Sequence, residues 1–239
     1  MNQPAETTSA VPRRDFLHSA ALASSAALLG VTPTWSARRS DPELRVALIG
    51  CGGRGTGAAA QALQADPNVR LAAMADAFED RLQRSRSQLR QGFGERIDVP
   101  ESRCFTGFDA YRRAIAEDVD VVLLTAPPHF RPAHLEAAVA AGRHVFCEKP
   151  MAVDAAGVRS VLASAEAARR RKLSLVSGFC WRYSYPERAT YNRIHAGGIG
   201  DVRTVHTTYH SGPLGVYPRQ DGWSDMEWQM RNWWHFAWL

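Results

Sequence analysis

The sequence predicts an α/β fold, a doubly wound parallel sheet followed by the start of a second domain. Three observations carry that prediction. From Asp41 onward, short apolar runs alternate with helical patterns, which favours parallel strands joined by crossover helices. Two of the runs, Val46 to Ile49 and Val121 to Leu124, are apolar without a break, as strands covered on both faces must be. The first of these leads into Gly50-Cys51-Gly52-Gly53-Arg54-Gly55, a G-x-G-x-x-G pattern, and then into the Ala-rich stretch Ala58 to Ala65.

Strand, tight turn and helix in that order give the glycine pattern a mechanism. Gly50 permits the sharp turn, Gly52 lets backbone N–H groups approach a pyrophosphate, and Gly55 lets the helix pack close to the strand. Gly53 and Arg54 lie between them at the helix start, where the positive end of the helix favours phosphate. A glycine cluster alone is more often a plain turn. The second signal is Asp76, which closes the next strand, Val69 to Ala75, about 20 residues further on, where it can accept hydrogen bonds from an adenosine ribose. Together they point to a dinucleotide site. Asp76 favours NAD by repelling a 2′-phosphate, and Arg81 is the nearby residue through which NADP remains possible.

The elements continue with a polar helix from about Glu79 to Leu89, a Gly/Pro-containing loop through Pro100, and a short helix near Asp109 to Ala116. Leu135, Ala138, Val139 and Gly142 form a helical stripe suited to packing on a sheet. Val158, Val161, Leu162, Ala165 and Ala168 repeat it, with Asp154 placed to cap that helix. Strands at His144 to Cys147 and Leu173 to Phe179 complete a domain over 41–180. Over 181–239 the character changes. Pro186 to His195 reads as a helix, Gly197 to Gly200 as a turn, Val202 to His210 as a half-exposed strand, and Trp223 to Trp238 as a weakly periodic aromatic segment.

Residues 1–40 stand apart. Arg13-Arg14-Asp15-Phe16-Leu17 precedes an uncharged Ala/Leu-rich run from Ser19 to Val31, too short to span a bilayer and suited to a signal h-region. The arginine pair resembles a twin-arginine export signal, which implies the export machinery as a partner and a periplasmic or other extracytoplasmic location. A chance arginine pair in a disordered tail is the alternative.

The 239 residues are 45% hydrophobic and 22% charged, a globular balance, and the net charge of +5 is modest. The basic run Arg169-Arg170-Arg171-Lys172 ends a predicted helix, where it complements the helix dipole, so nucleic acid is not an expected partner. Cys51, Cys104, Cys147 and Cys180 are too widely spaced for a zinc site or a disulfide framework, so no metal is expected.

Open parallel sheets bind ligands at the carboxyl ends of their strands. That rule selects the glycines, Asp76, the stretch Thr125-Ala126-Pro127-Pro128-His129, and Glu148-Lys149-Pro150. A lysine at a strand end beside a nicotinamide can polarise a substrate hydroxyl and take its proton as hydride departs, with Glu148 tuning the ammonium. A solvated Lys-Glu pair before a turn proline fits the spacing equally well.

Gly50 to Gly55, Asp76, Ala137 to Pro150 (AAVAAGRHVFCEKP) and Ile194 to Val202 (IHAGGIGDV) resemble the Gfo/Idh/MocA oxidoreductases, from about Leu44 to the end of the chain. The resemblance implies a nicotinamide-binding Rossmann domain followed by an α+β domain built on an open, mainly antiparallel sheet. It also implies that Lys149 is the catalytic lysine, that Pro150 follows a cis peptide, and that Arg182 and Trp233 lie near nicotinamide or substrate. Two departures accompany it. Arg131 occupies a place where the family commonly carries a histidine, flanked here by His129 and His134. The family's catalytic His/Asp motif has no match in His206, His210 or His235 and is expected beyond Leu239, so the chain resembles a C-terminally truncated member.

The implied function is NAD(P)-dependent hydride transfer with a sugar, cyclitol or related polyol. One alternative is an NAD-dependent glycosidase of the same family, working by transient oxidation and elimination. Another is an inert cofactor-binding fragment. A homo-oligomer through the C-terminal sheet is a possible assembly of a full-length protein.

Overall fold

The computed structural model describes residues 43–239. The arginine pair and apolar run near the start therefore lie outside the described residues. Six strands form one sheet in the order β3-β2-β1-β4-β5-β6. They are β1 (Leu44–Ile49), β2 (Val69–Asp76), β3 (Cys104–Thr106), β4 (Val121–Leu124), β5 (His144–Cys147) and β6 (Leu175–Ser177). Every pairing is parallel. The helices are α1 (Gly53–Ala65), α2 (Glu79–Phe93), α3 (Ala110–Ala116), α4 (Arg131–Ala140), α5 (Ala155–Arg170), α6 (Tyr185–His195) and α7 (Asp225–Arg231).

Strand alternation sends side chains to two cores. Val46, Leu48, Leu71, Met74 and Leu123 pack with Ala59 and Leu63 of α1 and Leu82 and Leu89 of α2. Ala47, Ile49, Ala73, Ala75, Val122 and Leu124 face the other way, onto Ala114 and Ile115 of α3 and Leu135, Ala138 and Val139 of α4. Leu48, Leu63, Leu82 and Leu135 are wholly buried, each contributing about 1.5–3 kcal/mol relative to exposure. Because β1 leads outward to β2 while β4 lies on its other side, a crevice opens at the carboxyl ends of β1 and β4.

Local signals behave as their chemistry requires. Asp154 Oδ1 accepts from the Gly157 N–H at 2.6 Å, capping α5. The α4 stripe is buried at Leu135, Ala138 and Val139, and Gly142 (φ 76°) turns the chain just beyond the helix end. In the basic run, Arg169 and Arg170 pair with Glu166, and Arg171 donates to the Val139 and Ala140 carbonyls at the end of α4.

Three expectations are corrected. Val202 to His210 forms no strand: the segment is exposed and unpaired, because alternation makes a strand only where a neighbour supplies a ladder. The α5 stripe is rotated, with Val161, Ser164 and Ala168 turned inward and Val158 and Leu162 left exposed. The edge strand β3 falls where no strand was expected. Its three residues are too few to show a period, and it forms by pairing with Met74, Ala75 and Asp76.

Candidate functional site

The glycine loop is shaped by close backbone contact. Gly50 has φ 96°, and a Cβ there would lie 2.4 Å from the Ala126 nitrogen. A Cβ at Gly55 would lie 1.8 Å from the Gly50 oxygen, so α1 and β1 approach each other only because both positions lack one. Thr125 closes the arrangement by donating its hydroxyl to the Ile49 and Gly50 carbonyls at 3.0 and 2.6 Å. At Gly52 and Gly53, by contrast, a Cβ would meet nothing within 4 Å. The first-turn amides of α1 have no carbonyl within the helix to bond, and they border this open space. The loop therefore offers a bare, positively polarised cradle that fits a diphosphate.

Asp76 stands beside it. Its Oδ2 accepts from the Cys51 N–H at 2.6 Å and its Oδ1 from the Phe78 N–H at 2.9 Å, which fixes the carboxylate against the loop. Burial raises its pKa above the ordinary value, opposed by those two backbone hydrogen bonds and by Arg81. Each oxygen retains a lone pair for ribose hydroxyls.

From loop and aspartate a cavity of about 510 Å³ extends to Pro127, Phe108, Tyr111, Phe130 and His134 on one side and to Arg81, Tyr217, Met230, Trp233 and Trp234 on the other. The His134 ring lies tilted against Tyr111 with ring centroids 4.1 Å apart, and its Nδ1 is buried without a hydrogen-bond partner. Burial, reinforced by Arg131 and Arg112, pushes its pKa down to about 4, so the imidazole is neutral at physiological pH. This aromatic end suits a planar base. The opposite wall is held by Arg231, which bonds both Asp80 oxygens at 2.8 and 3.1 Å and receives Arg81 Nη2 on its carbonyl at 2.9 Å. Arg231 in turn holds the Asp80 carboxyl below its ordinary range. Asn232, wholly buried, ties α7 to Tyr217 through the backbone N–H and carbonyl of that residue.

Two strands along, Glu148 is buried and accepts from Arg54 Nε at 2.5 Å and from the Lys149 N–H at 3.1 Å. Lys149 is exposed at the end of β5 and is joined to Pro150 by a cis peptide. Arg131 is 3% exposed and donates Nη1 to the Pro150 carbonyl, which anchors the turn in the place where the resemblance leads one to expect a histidine.

The structure thus gathers Gly50, Gly52, Gly53, Arg54, Gly55, Asp76, Thr125, Pro127 and Trp233 around one cavity. Glu148 and Lys149 share the same sheet edge but do not line it. His129 is turned away against Phe130 and Trp238, with its N–H donating to the Leu239 carbonyl. Arg182 lies exposed in the single turn Cys180–Tyr183, and its side chain makes no ion pair or hydrogen bond among the described residues. The sequence marked Arg131 and His134 only as a departure from the family pattern, without a role, and apart from Trp233 it did not point to the wall formed by Tyr217, Met230 and Trp234. Besides the aromatic segment, a local clue to the wall was Glu227, four residues before Arg231 and ion-paired with it at 2.9 Å. Among the described residues no group of three or more His, Cys, Asp or Glu could hold a metal ion, and no helix is long and apolar enough to cross a membrane.

A family model, GFO_IDH_MocA, described as an oxidoreductase family with an NAD-binding Rossmann fold, matches residues 44–176. A glycosyl hydrolase family 109 protein of Streptomyces coelicolor is 31% identical over 170 residues, 70% of this chain and 34% of its own length. An inositol 2-dehydrogenase of Pseudomonas savastanoi is 38% identical over 116 residues, 47% of this chain and 33% of its own length. Among solved structures, myo-inositol 2-dehydrogenase from Lactobacillus plantarum superposes with a TM-score of 0.54 at 27% identity, over 67% of this chain and 43% of that one. The chain thus spans about a third of the length of these two curated relatives.

Proposed function

Since the chain belongs to the Gfo/Idh/MocA oxidoreductase family, whose Rossmann domain binds NAD, we propose that the whole protein is an NAD-dependent enzyme that moves hydride to or from a sugar, cyclitol or related polyol. The observation that carries this reading is the placement of the diphosphate cradle, Asp76 and the Glu148-Lys149-Pro150 turn along one edge of one sheet. The inositol dehydrogenases among the relatives support the choice of substrate class. NAD, when bound, supplies the hydride acceptor. The chain's residues do the rest. Asp76 takes the adenosine ribose, the amides at the start of α1 take the diphosphate, and the aromatic end of the cavity takes the base. Lys149 Nζ hydrogen-bonds the substrate hydroxyl, polarises it and helps its proton leave while the carbinol hydrogen departs as hydride, and it acts in the opposite sense in the reverse direction. Arg131 positions Lys149 by holding the Pro150 carbonyl.

Lys149→Ala in the full-length protein, assayed by NADH formation with a panel of inositols and sugars, is expected to lower turnover by a factor of about 10² to 10⁴ while leaving NAD affinity nearly unchanged. Turnover close to wild type would reduce the triplet to a structural turn.

The similarity to a glycosyl hydrolase family 109 protein favours a second reading, redox-assisted glycoside cleavage in which hydride is taken and returned. Cleavage of aryl glycosides without net NADH would select it, whereas net NADH from free polyols would exclude it. The arginine pair supports export by the twin-arginine route. Replacing Arg13 and Arg14 by Lys should hold the protein inside the cell, and unchanged accumulation outside the cytoplasm would overturn that assignment.

A further inference from the structure

Arg54 projects from the first turn of α1, beside the amides that fit a diphosphate, yet its guanidinium is committed elsewhere. Nε donates to Glu148 Oε1 at 2.5 Å and Nη1 to Gln61 Oε1 at 3.2 Å. The helix α1 follows β1 and Glu148 follows β5, with β4 between those strands, so the ion pair crosses the carboxyl end of β4. The cavity reaches Arg54, Thr125 and Pro127 and stops short of Glu148 and Lys149. A dinucleotide with its adenosine on Asp76 and its diphosphate on α1 must lay its other half over the end of β4 to bring a nicotinamide to Lys149. The Arg54–Glu148 pair lies on that path.

The two partners differ in freedom. The Glu148 side chain is 5% exposed, and its second oxygen accepts from the Lys149 N–H. A Cβ at Gly178 would come within 2.8 Å of that oxygen, so the carboxylate is fitted against bare backbone and has little room to move. The Arg54 side chain is 48% exposed, on a long flexible stem. Of the two, Arg54 is the one that can swing. A diphosphate at the positive end of α1 offers it more negative charge than one carboxylate does, in the bidentate geometry a guanidinium prefers.

We propose that Arg54 is a transferable clamp: it bridges to Glu148 across the nicotinamide path and passes to the diphosphate of an incoming dinucleotide, so that a ligand carrying that diphosphate opens the way to Lys149. This rests on the cofactor reading above. In the complex Glu148 keeps the Lys149 N–H, and the released carboxylate faces the nicotinamide half of the ligand.

The test is calorimetric titration of the 239-residue chain and its variants with NAD and, separately, with adenosine, which lacks phosphate. Arg54→Gln should weaken NAD by about tenfold, the loss of one charge-assisted contact. Glu148→Gln should tighten NAD by roughly three- to tenfold, because the competing charge is gone. The double variant should match Arg54→Gln, and adenosine should bind all four proteins alike. Glu148→Asp, which withdraws the carboxylate by one methylene and keeps its charge, should also tighten NAD, and it carries the test if the Gln variant does not fold. If both single variants weaken NAD by a similar factor, or neither changes it, the clamp is overturned while the cofactor site stands. Absence of NAD binding by the unmodified chain would instead overturn the cofactor reading, and the clamp with it.

Discussion

Replacing Arg231 by Met should detach one wall of the cofactor cavity without unfolding the sheet. The guanidinium, on a side chain 10% exposed, bonds both Asp80 oxygens and Glu227, and lies 4.1 Å from the Phe78 ring centroid and 4.5 Å from that of Trp223. Methionine fills much of the same volume and makes none of these polar contacts. Removing one member of a fully buried ion pair costs about 3–5 kcal/mol. The Asp80 side chain is 49% exposed and can rehydrate, which reduces the ionic part to about 1–2 kcal/mol, and the two cation–π contacts add about 0.5–1 kcal/mol each. The total, about 2–4 kcal/mol, falls on the docking of the segment from Tyr217 to Leu239, because neither sheet core includes any residue of that segment. Local opening should therefore rise roughly 30- to 700-fold, while the global unfolding transition moves little. Amide hydrogen exchange over residues 217–239, read by mass spectrometry, measures this directly. NAD affinity should fall in parallel, because Tyr217, Met230, Trp233 and Trp234 line the cavity. Unchanged exchange in this segment with unchanged NAD affinity would refute the argument that Arg231 holds the wall.

Acid should destabilise the chain through His134. Its folded pKa of about 4 lies below the ordinary 6.5, so the unfolded state binds the proton more readily; stability is full above pH 6.5, falls as the pH drops toward 4, and levels off below it. The loss is about 3 kcal/mol at most, and His134→Phe, which keeps a ring against Tyr111, should flatten that part of the pH–stability curve; an unaltered curve would place the titration elsewhere. Asp76→Ala should shift the NAD-to-NADP affinity ratio toward NADP by about tenfold or more, because it removes the charge that repels a 2′-phosphate and leaves Arg81 and Arg84 lining the same cavity. A ratio equal to wild type would sink the ribose assignment. Alkylation of the folded chain at neutral pH should modify exposed Cys180 and spare Cys51 and Cys147, which are buried, with burial pushing the Cys147 thiol up to about 11 and Cys51 well above its ordinary value. Rapid labelling of Cys51 would mean that the glycine loop is not packed as described.

Much of this protein is legible locally. The apolar runs at Val46 to Ile49 and Val121 to Leu124, the glycines, Asp76, the Asp154 cap and the Glu148-Lys149-Pro150 turn each declare themselves within a few residues, because strand burial, turn geometry and capping are short-range effects. Since parallel strands present their carboxyl ends on one edge, the sequence alone also determines that these residues share a side of the sheet. What it leaves open depends on partners far along the chain. The strand β3 exists because Met74 to Asp76 offer a ladder, and Val202 to His210, with a better strand pattern, stays unpaired for want of one. The pairing of Arg54 with Glu148 spans 94 positions and that of Asp80 with Arg231 spans 151. No periodicity encodes such contacts. A guanidinium at either position reads locally as a solvated surface charge, and only the folded chain, by bringing a buried or fixed carboxylate within reach, decides that one bridges the sheet edge and the other closes the cavity.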